Sequence, residues 1–130
     1  MWTGGGLGAD GLAFLPFLGH GEQGALWDPT LRGTLDGLTI SHGREHVARA
    51  LLEGIVLEHR RCCRALLDAG VAPQTIRVAG DAGASPELAS MLADALGLAV
   101  VASDDRWSSA IGAALVAAVG LEILDPSALP

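Results

Sequence analysis

Apolar and polar positions follow several different rhythms along this chain. "LAFLPFL", Leu12 to Leu18, is a continuous apolar run bounded by glycines. That is the pattern of a buried strand, with Pro16 forcing an edge or a bulge. From Gly19 to Thr39 no period is visible. A stretch this long inside a compact domain is either functional or without order, and Trp27 beside Asp28-Pro29 argues that it is anchored. From Ser41 to Ala69, the residues Val47, Leu51, Gly54/Ile55, Cys62, Leu66 and Ala69 return to one side with charges between them, which predicts one long helix. Gly54 within it costs roughly 1 kcal/mol relative to alanine, a cost that makes sense where another backbone crosses closely. Gly70 is placed to end the helix, and Pro73 prevents its resumption.

Beyond Pro73 the rhythm shortens. "TIRVAG" (Thr75 to Gly80) reads as a strand, Pro86 to Leu96 as a helix closed by Gly97, and "LAVVAS" as a second strand. A last helix spans about Ser108 to Val119 and is stopped by Gly120. The order α-β-α-β-α, with helices long enough to cross back over a sheet, predicts an α/β layer with parallel strands. The strands Thr75 to Gly80 and Leu98 to Ala102 are expected side by side. The chain divides into a flexible glycine-rich lead, 1–10, a folded body, 11–120, and a tail, 121–130.

Composition narrows the function classes. The 130 residues carry a formal net charge of −7 and offer no basic stripe, which argues against a nucleic-acid partner. Arg44, Arg49, Arg60 and Arg61 interleave with Glu45, Glu53 and Glu58, a pattern that reads as one solvated helix face. Cys62 and Cys63 are adjacent, so on a helix they point about 100° apart. No bridge between them is expected, and reduced thiols fit a cytoplasmic setting. The apolar run Ala110 to Leu121 is shorter than the roughly 20 residues a membrane span needs, and no targeting signal opens the chain.

The turn between the short strand and its helix, "GDAGAS", is the main candidate for chemistry. Ser85 is placed as an N-cap, Pro86 as the first helical residue and Glu87 in the first turn. Free N–H groups and the helix dipole attract anions at such an end, and Gly80 and Gly83 would let a ligand approach the backbone. Any strand-to-helix turn, however, uses glycine and a serine cap. It is no phosphate loop of the Gly-Lys-Ser/Thr kind. Asp81 opposes bare phosphate, since like charges 4 Å apart repel by roughly 1 kcal/mol in water, although magnesium reverses that sign. The turn is thus a nucleotide site, a damaged one, or a tight connection. The G-x-G-x-x-G at Gly6, Gly8 and Gly11 lacks the preceding strand and following helix of a dinucleotide fingerprint.

Taken together, "GLAFLPFLGHGE", "WDPTLRGTLDGLTISH", "ARALLEGI", "SPELASMLADALGLAVV" and "AIGAALVAAVG" resemble, in order, the C-terminal end of the FGGY carbohydrate kinases, most closely the xylulokinase-like members. The resemblance runs from about Gly11 to Gly120. It implies part of an actin-like ATPase (ribonuclease H-like) lobe and a pentulose kinase that uses ATP with magnesium. It also implies that Gly80, Asp81, Ala82, Gly83 and Ser85 occupy the loop lying against the adenosine. The Ala110-Ile111-Gly112-Ala113-Ala114 helix matches the family's small-residue helix behind that site.

Departures fall near the chemistry. Asp81 and Ala82 stand where the family repeats glycine, and Gly-Glu-Arg-Thr-Pro becomes Gly21-Glu22-Gln23-Gly24-Ala25. Leu88 and Ser90 stand where tryptophan and glutamine are frequent. The resemblance implies that the catalytic aspartate, the sugar-binding lobe and the phosphate hairpin belong to segments not matched here, so no catalytic residue is assigned. Glu22, Asp28 and Asp36 remain candidate acid/base groups or solvated carboxylates, with Asp28-Pro29 readable as a turn starter. His42 and His46, read as four apart on one helix face, lack a third metal ligand. Two readings stand: the nucleotide-side segment of a sugar kinase, partnered by the missing lobe or by self-association, and a non-catalytic interaction domain that kept the fold. Apolar surface left by missing strands predicts poor solubility.

Overall fold

The computed structural model describes residues 8–19, 21–22, 24–80, 85–103 and 107–128. Two small sheets are joined by a long helix. The first sheet is antiparallel: β1 (Ala13–Leu15) pairs with β2 (Thr34–Asp36), Phe14 opposite Leu35. The second is parallel: β3 (Thr75–Val78) pairs with β4 (Ala99–Ala102), Ile76 opposite Val100. Between them run α1 (Arg44–Asp68) and α2 (Pro86–Leu96), with α3 (Ser108–Gly120) following β4. The parallel α/β layer expected from the sequence is therefore present. No helix among the described residues is long and apolar enough to cross a membrane.

The core is small. Ala9, Leu12 and Ala50 form its buried centre, with Phe14 and Val47 packed against them. Gly54 is where β1 crosses α1. A Cβ there would lie inside van der Waals contact of the Phe14 carbonyl oxygen and 3.1 Å from the Phe14 ring, so the close crossing inferred from that glycine is real.

Several expectations need correction. Only Ala13–Leu15 of the apolar run is strand, and it ends at Pro16, whose ring removes the ladder N–H. The run is not fully buried: Leu15 is 48% and Leu18 78% exposed. The stretch 19–39, read as irregular, contains β2, bracketed by Gly33 and Gly37. On α1 the buried residues are Ala50, Gly54 and Val56, with Val47 partly buried, whereas Leu51, Ile55 and Leu66 are exposed. The small Ala50 and Gly54 allow β1 to approach, and Val56 is buried beside them. α1 begins at Arg44, and α3 continues through Gly120 to a cap at Leu121.

Candidate functional site

β3 and β4 run in the same direction, so both deliver the chain to the same sheet edge, and the helices that follow them begin there. Ser103 N–H extends the ladder by donating to the Val78 carbonyl (2.8 Å). Ligands of open parallel sheets bind outside this carboxyl edge. Gly80, at the exit of β3, has φ +76°, and among the described residues nothing lies within 4 Å of where its Cβ would be. A side chain there would be strained by backbone conformation, not by crowding.

At the start of α2, the Ser85 hydroxyl accepts from Leu88 N–H (3.2 Å) and donates to the Glu87 carboxylate (3.2 Å). Pro86 occupies the first turn, and Gly97, with φ +65°, closes the helix. Of the five candidate residues, Gly80 and Ser85 are thus brought to one edge, while Asp81, Ala82 and Gly83 lie outside the described residues. The Ser85 hydroxyl is already engaged as the helix cap.

The other candidates resolve differently. Glu22, expected to be solvated, is only 4% exposed. Its carboxylate accepts from the backbone N–H groups of Gly24 (2.5 Å), Ala25 (2.6 Å), Leu26 and Trp27 (2.9 Å). The loop closes around it through Glu22 N–H to the Asp28 carbonyl (2.9 Å). Burial raises the pKa of Glu22, but these four donors prevail and bring it from 4.5 to about 2. Opposite, Arg61 of α1 reaches Glu22 (3.3 Å), pairs with Glu58, and lies over the Phe17 ring at 5.9 Å.

That constellation overturns the single solvated face expected for the α1 charges. Arg49–Glu53 (2.5 Å) and Arg61–Glu58 are half-buried, and Arg61 staples the loop to the helix. Glu22, Glu58 and Cys62 offer donor atoms within 4.8 Å of one another. The Glu22 oxygens, however, are filled by N–H groups, and Arg61 already supplies the positive charge. Burial, then the Glu58 and Glu22 carboxylates, push the Cys62 thiol up, against thiolate ligation. The cluster is a staple. Cys62 and Cys63 stand unbridged and partly buried on α1.

Asp28 is a turn starter. Its carboxylate accepts from the hydroxyl (2.6 Å) and N–H (2.8 Å) of Thr30, which hold its pKa below the usual range. Asp36 ends β2, exposed. His42 precedes α1, so it does not share a helix face with His46, although the two rings meet edge-on at 5.4 Å. His46 Nδ1 accepts from Gly43 N–H (2.9 Å) and its Nε2 faces Asp10 (3.3 Å). These contacts tie the Ala9–Gly11 turn to the start of α1. A clue to Glu22 was available in the sequence: of its quintet, only Gly21 and Glu22 keep the family residues, while the arginine, threonine and proline after them change.

Residues 5–121 match the profile of the FGGY family of carbohydrate kinases, C-terminal domain. Among curated proteins, the chain is 38% identical over 120 residues to a glycerol kinase of Citrifermentans bemidjiense, covering 92% of this chain and 24% of that protein. It is 37% identical over 110 residues to a gluconokinase of Bacillus subtilis, covering 84% and 21%. Among solved structures, a xylulose kinase from Rhodospirillum rubrum superposes with a TM-score of 0.66 at 35% identity, over 83% of this chain and 23% of that one. A gluconate kinase from Lactobacillus acidophilus gives 0.68 at 28%, over 91% and 24%. The chain therefore spans about a quarter of the length of the curated relatives it matches. Its fold is part of an actin-like ATPase lobe.

Proposed function

The chain belongs to the FGGY family of carbohydrate kinases, as part of its C-terminal domain, and from that premise we propose that it forms the nucleotide-side segment of an ATP-dependent kinase acting on a hydroxyl of a sugar or polyol. The observation that carries this is the carboxyl edge of the β3–β4 sheet, where Gly80 presents open backbone beside the N-terminus of α2. A pentulose is one substrate that fits; glycerol, gluconate and xylulose are the substrates named among its relatives.

In this reading the residues at the edge orient a nucleotide and do no covalent chemistry. Bound ATP with magnesium would supply the transferable phosphoryl group and neutralise its charge. Gly80 allows a flat group to lie against the backbone, beside the positive end of the α2 dipole. Phosphoryl transfer further requires a base, a sugar pocket and a clamp on the phosphates. None is assigned to this chain, so by itself it turns over no ATP.

Titration of ATP, ADP and adenosine against wild type and Asp81→Gly, with and without magnesium, tests the reading. Weak wild-type binding governed by adenosine is expected. Removing one negative charge should tighten ATP by about fivefold, the equivalent of roughly 1 kcal/mol, with adenosine unchanged. If neither protein binds any of the three, the turn is only a connection and the interaction-domain reading takes its place.

A further inference from the structure

We propose that His42 and His46 form a proton-operated clasp: as neutral imidazoles they lock the Ala9–Gly11 turn to the start of α1, and protonation releases it. The clasp stands apart from nucleotide binding and would regulate the fold whether or not the β3–β4 edge takes a ligand.

Both rings use both nitrogens. His42 Nδ1 accepts from the Thr39 N–H (2.9 Å), and its Nε2 meets the Asp10 carbonyl (3.2 Å). His46 Nδ1 accepts from the Gly43 N–H (2.9 Å), and its Nε2 meets the Asp10 carboxylate (3.3 Å). A carbonyl and a carboxylate only accept, so this bonding assigns the proton of each ring to Nε2. Asp10 is gripped twice, through its main chain and its side chain.

The gripped turn is one that needs holding. Ala9 and Asp10 have φ of 45° and 53°, in the left-handed region, between Gly8 at 86° and Gly11 at 87°. Such backbone persists only where its surroundings over-determine it. Ala9 is nevertheless fully buried, beside Leu12 and Ala50. Gly8, Gly11 and Leu12 also wall a cavity of about 430 Å³ whose other side includes Phe14, Ala50 and Gly54. Release of the turn opens that cavity.

An imidazole takes up its second proton between about pH 8 and pH 5. On Nδ1 that proton points at the N–H the ring had accepted from, so Thr39 and Gly43 lose their acceptors. The rings, edge-on at 5.4 Å, would also repel as two cations. Two carboxylates meet the pair: Asp10 from the turn, and Glu45 from α1, whose Oε1 lies 3.5 Å from His46 Nδ1. Glu45 thus offers the new Nδ1–H an acceptor, and Thr39 Oγ1, 3.1 Å from His42 Nδ1, does so for the other ring. Arg44, two residues from His46, lies on a different side of α1. Arg49 is held by Glu53 (2.5 Å), and β1 carries no charge. Protonation therefore exchanges the partners of both rings and leaves two backbone N–H groups unbonded.

The test follows imidazole ¹⁵N shifts and amide hydrogen exchange of the full chain from about pH 8 to about pH 5.5. At the upper pH both rings should report Nε2–H with Nδ1 bare. On acidification, protection of the Thr39 and Gly43 amides, corrected for intrinsic rate, should fall at least about threefold. Leu12, whose N–H donates to the Ala9 carbonyl (3.1 Å), should follow, while Leu92, buried on α2, stays unchanged. Glu22 does not enter, since it titrates at about 2. His46→Gln keeps an acceptor for the Gly43 N–H without titrating and should abolish the Gly43 step. His42→Asn should do the same at Thr39. An Nδ1–H tautomer at the upper pH, or wild-type protection that does not change, overturns the proposal even if a variant unfolds. So do steps that persist in both variants, because the sensor would then be another group.

Discussion

Among single residues, Glu22 organises more of the structure than any other carboxylate described. Four backbone donors hold it charged, with its pKa lowered from 4.5 to about 2, and Arg61 lies 3.3 Å away. A carboxylate whose folded pKa is depressed stabilises the fold fully above its unfolded value and loses that contribution as pH falls through the folded one. The chain should therefore lose stability between about pH 4.5 and pH 2. Glu22→Gln should lower the thermal midpoint at pH 7 and flatten that acid limb, which melting curves across pH would record. Equal slopes for the two proteins would contradict the staple. Gly54→Ala probes the crossing of β1 over α1. With the Phe14 carbonyl in the way, overpacking should cost about 1–3 kcal/mol, despite alanine's better helix propensity. Urea denaturation showing no loss would mean that β1 shifts freely.

Elements differ in how clearly the sequence announces them, and the reasons are physical. β3, α2 and β4 were readable because the punctuation is local: Ser85-Pro86 opens α2, Gly97 closes it, and β-branched residues flank both. Ser85→Ala should destabilise α2 by about 1 kcal/mol, measurable as a lower melting midpoint, since Leu88 N–H would lose its acceptor. β2 was not readable, because three residues pairing across a long loop leave no period to detect. The α1 stripe was misplaced for a related reason. Hydrophobicity picks out large side chains, but the packed face is set by the small Ala50 and Gly54 that admit β1. At the candidate site, the strand, the cap and the shared edge were legible. The burial of Glu22 was not, since it arises from a loop that folds back upon its own carboxylate.

At the scale of the whole molecule, the exposed apolar side chains define what the isolated chain should do. Trp27, Trp107, Val116, Leu121 and Ile123 are each 70% exposed or more. Surfaces of this kind promote association, so sedimentation should show open-ended, concentration-dependent self-association that the complementary lobe suppresses. A compact monomer at every concentration would contradict this. Coupled assays with glycerol, gluconate and xylulose should detect no substrate-dependent ATP turnover by the chain alone. The central claim is that the carboxyl edge of the β3–β4 sheet forms a nucleotide wall, and it is tested most directly by amide chemical-shift mapping under millimolar ADP. The account predicts shifts concentrated at Gly80, Ser85, Glu87, Leu88 and Ser103, with the Glu22 loop silent. Shifts confined to that loop, or none at saturating ADP, would contradict it.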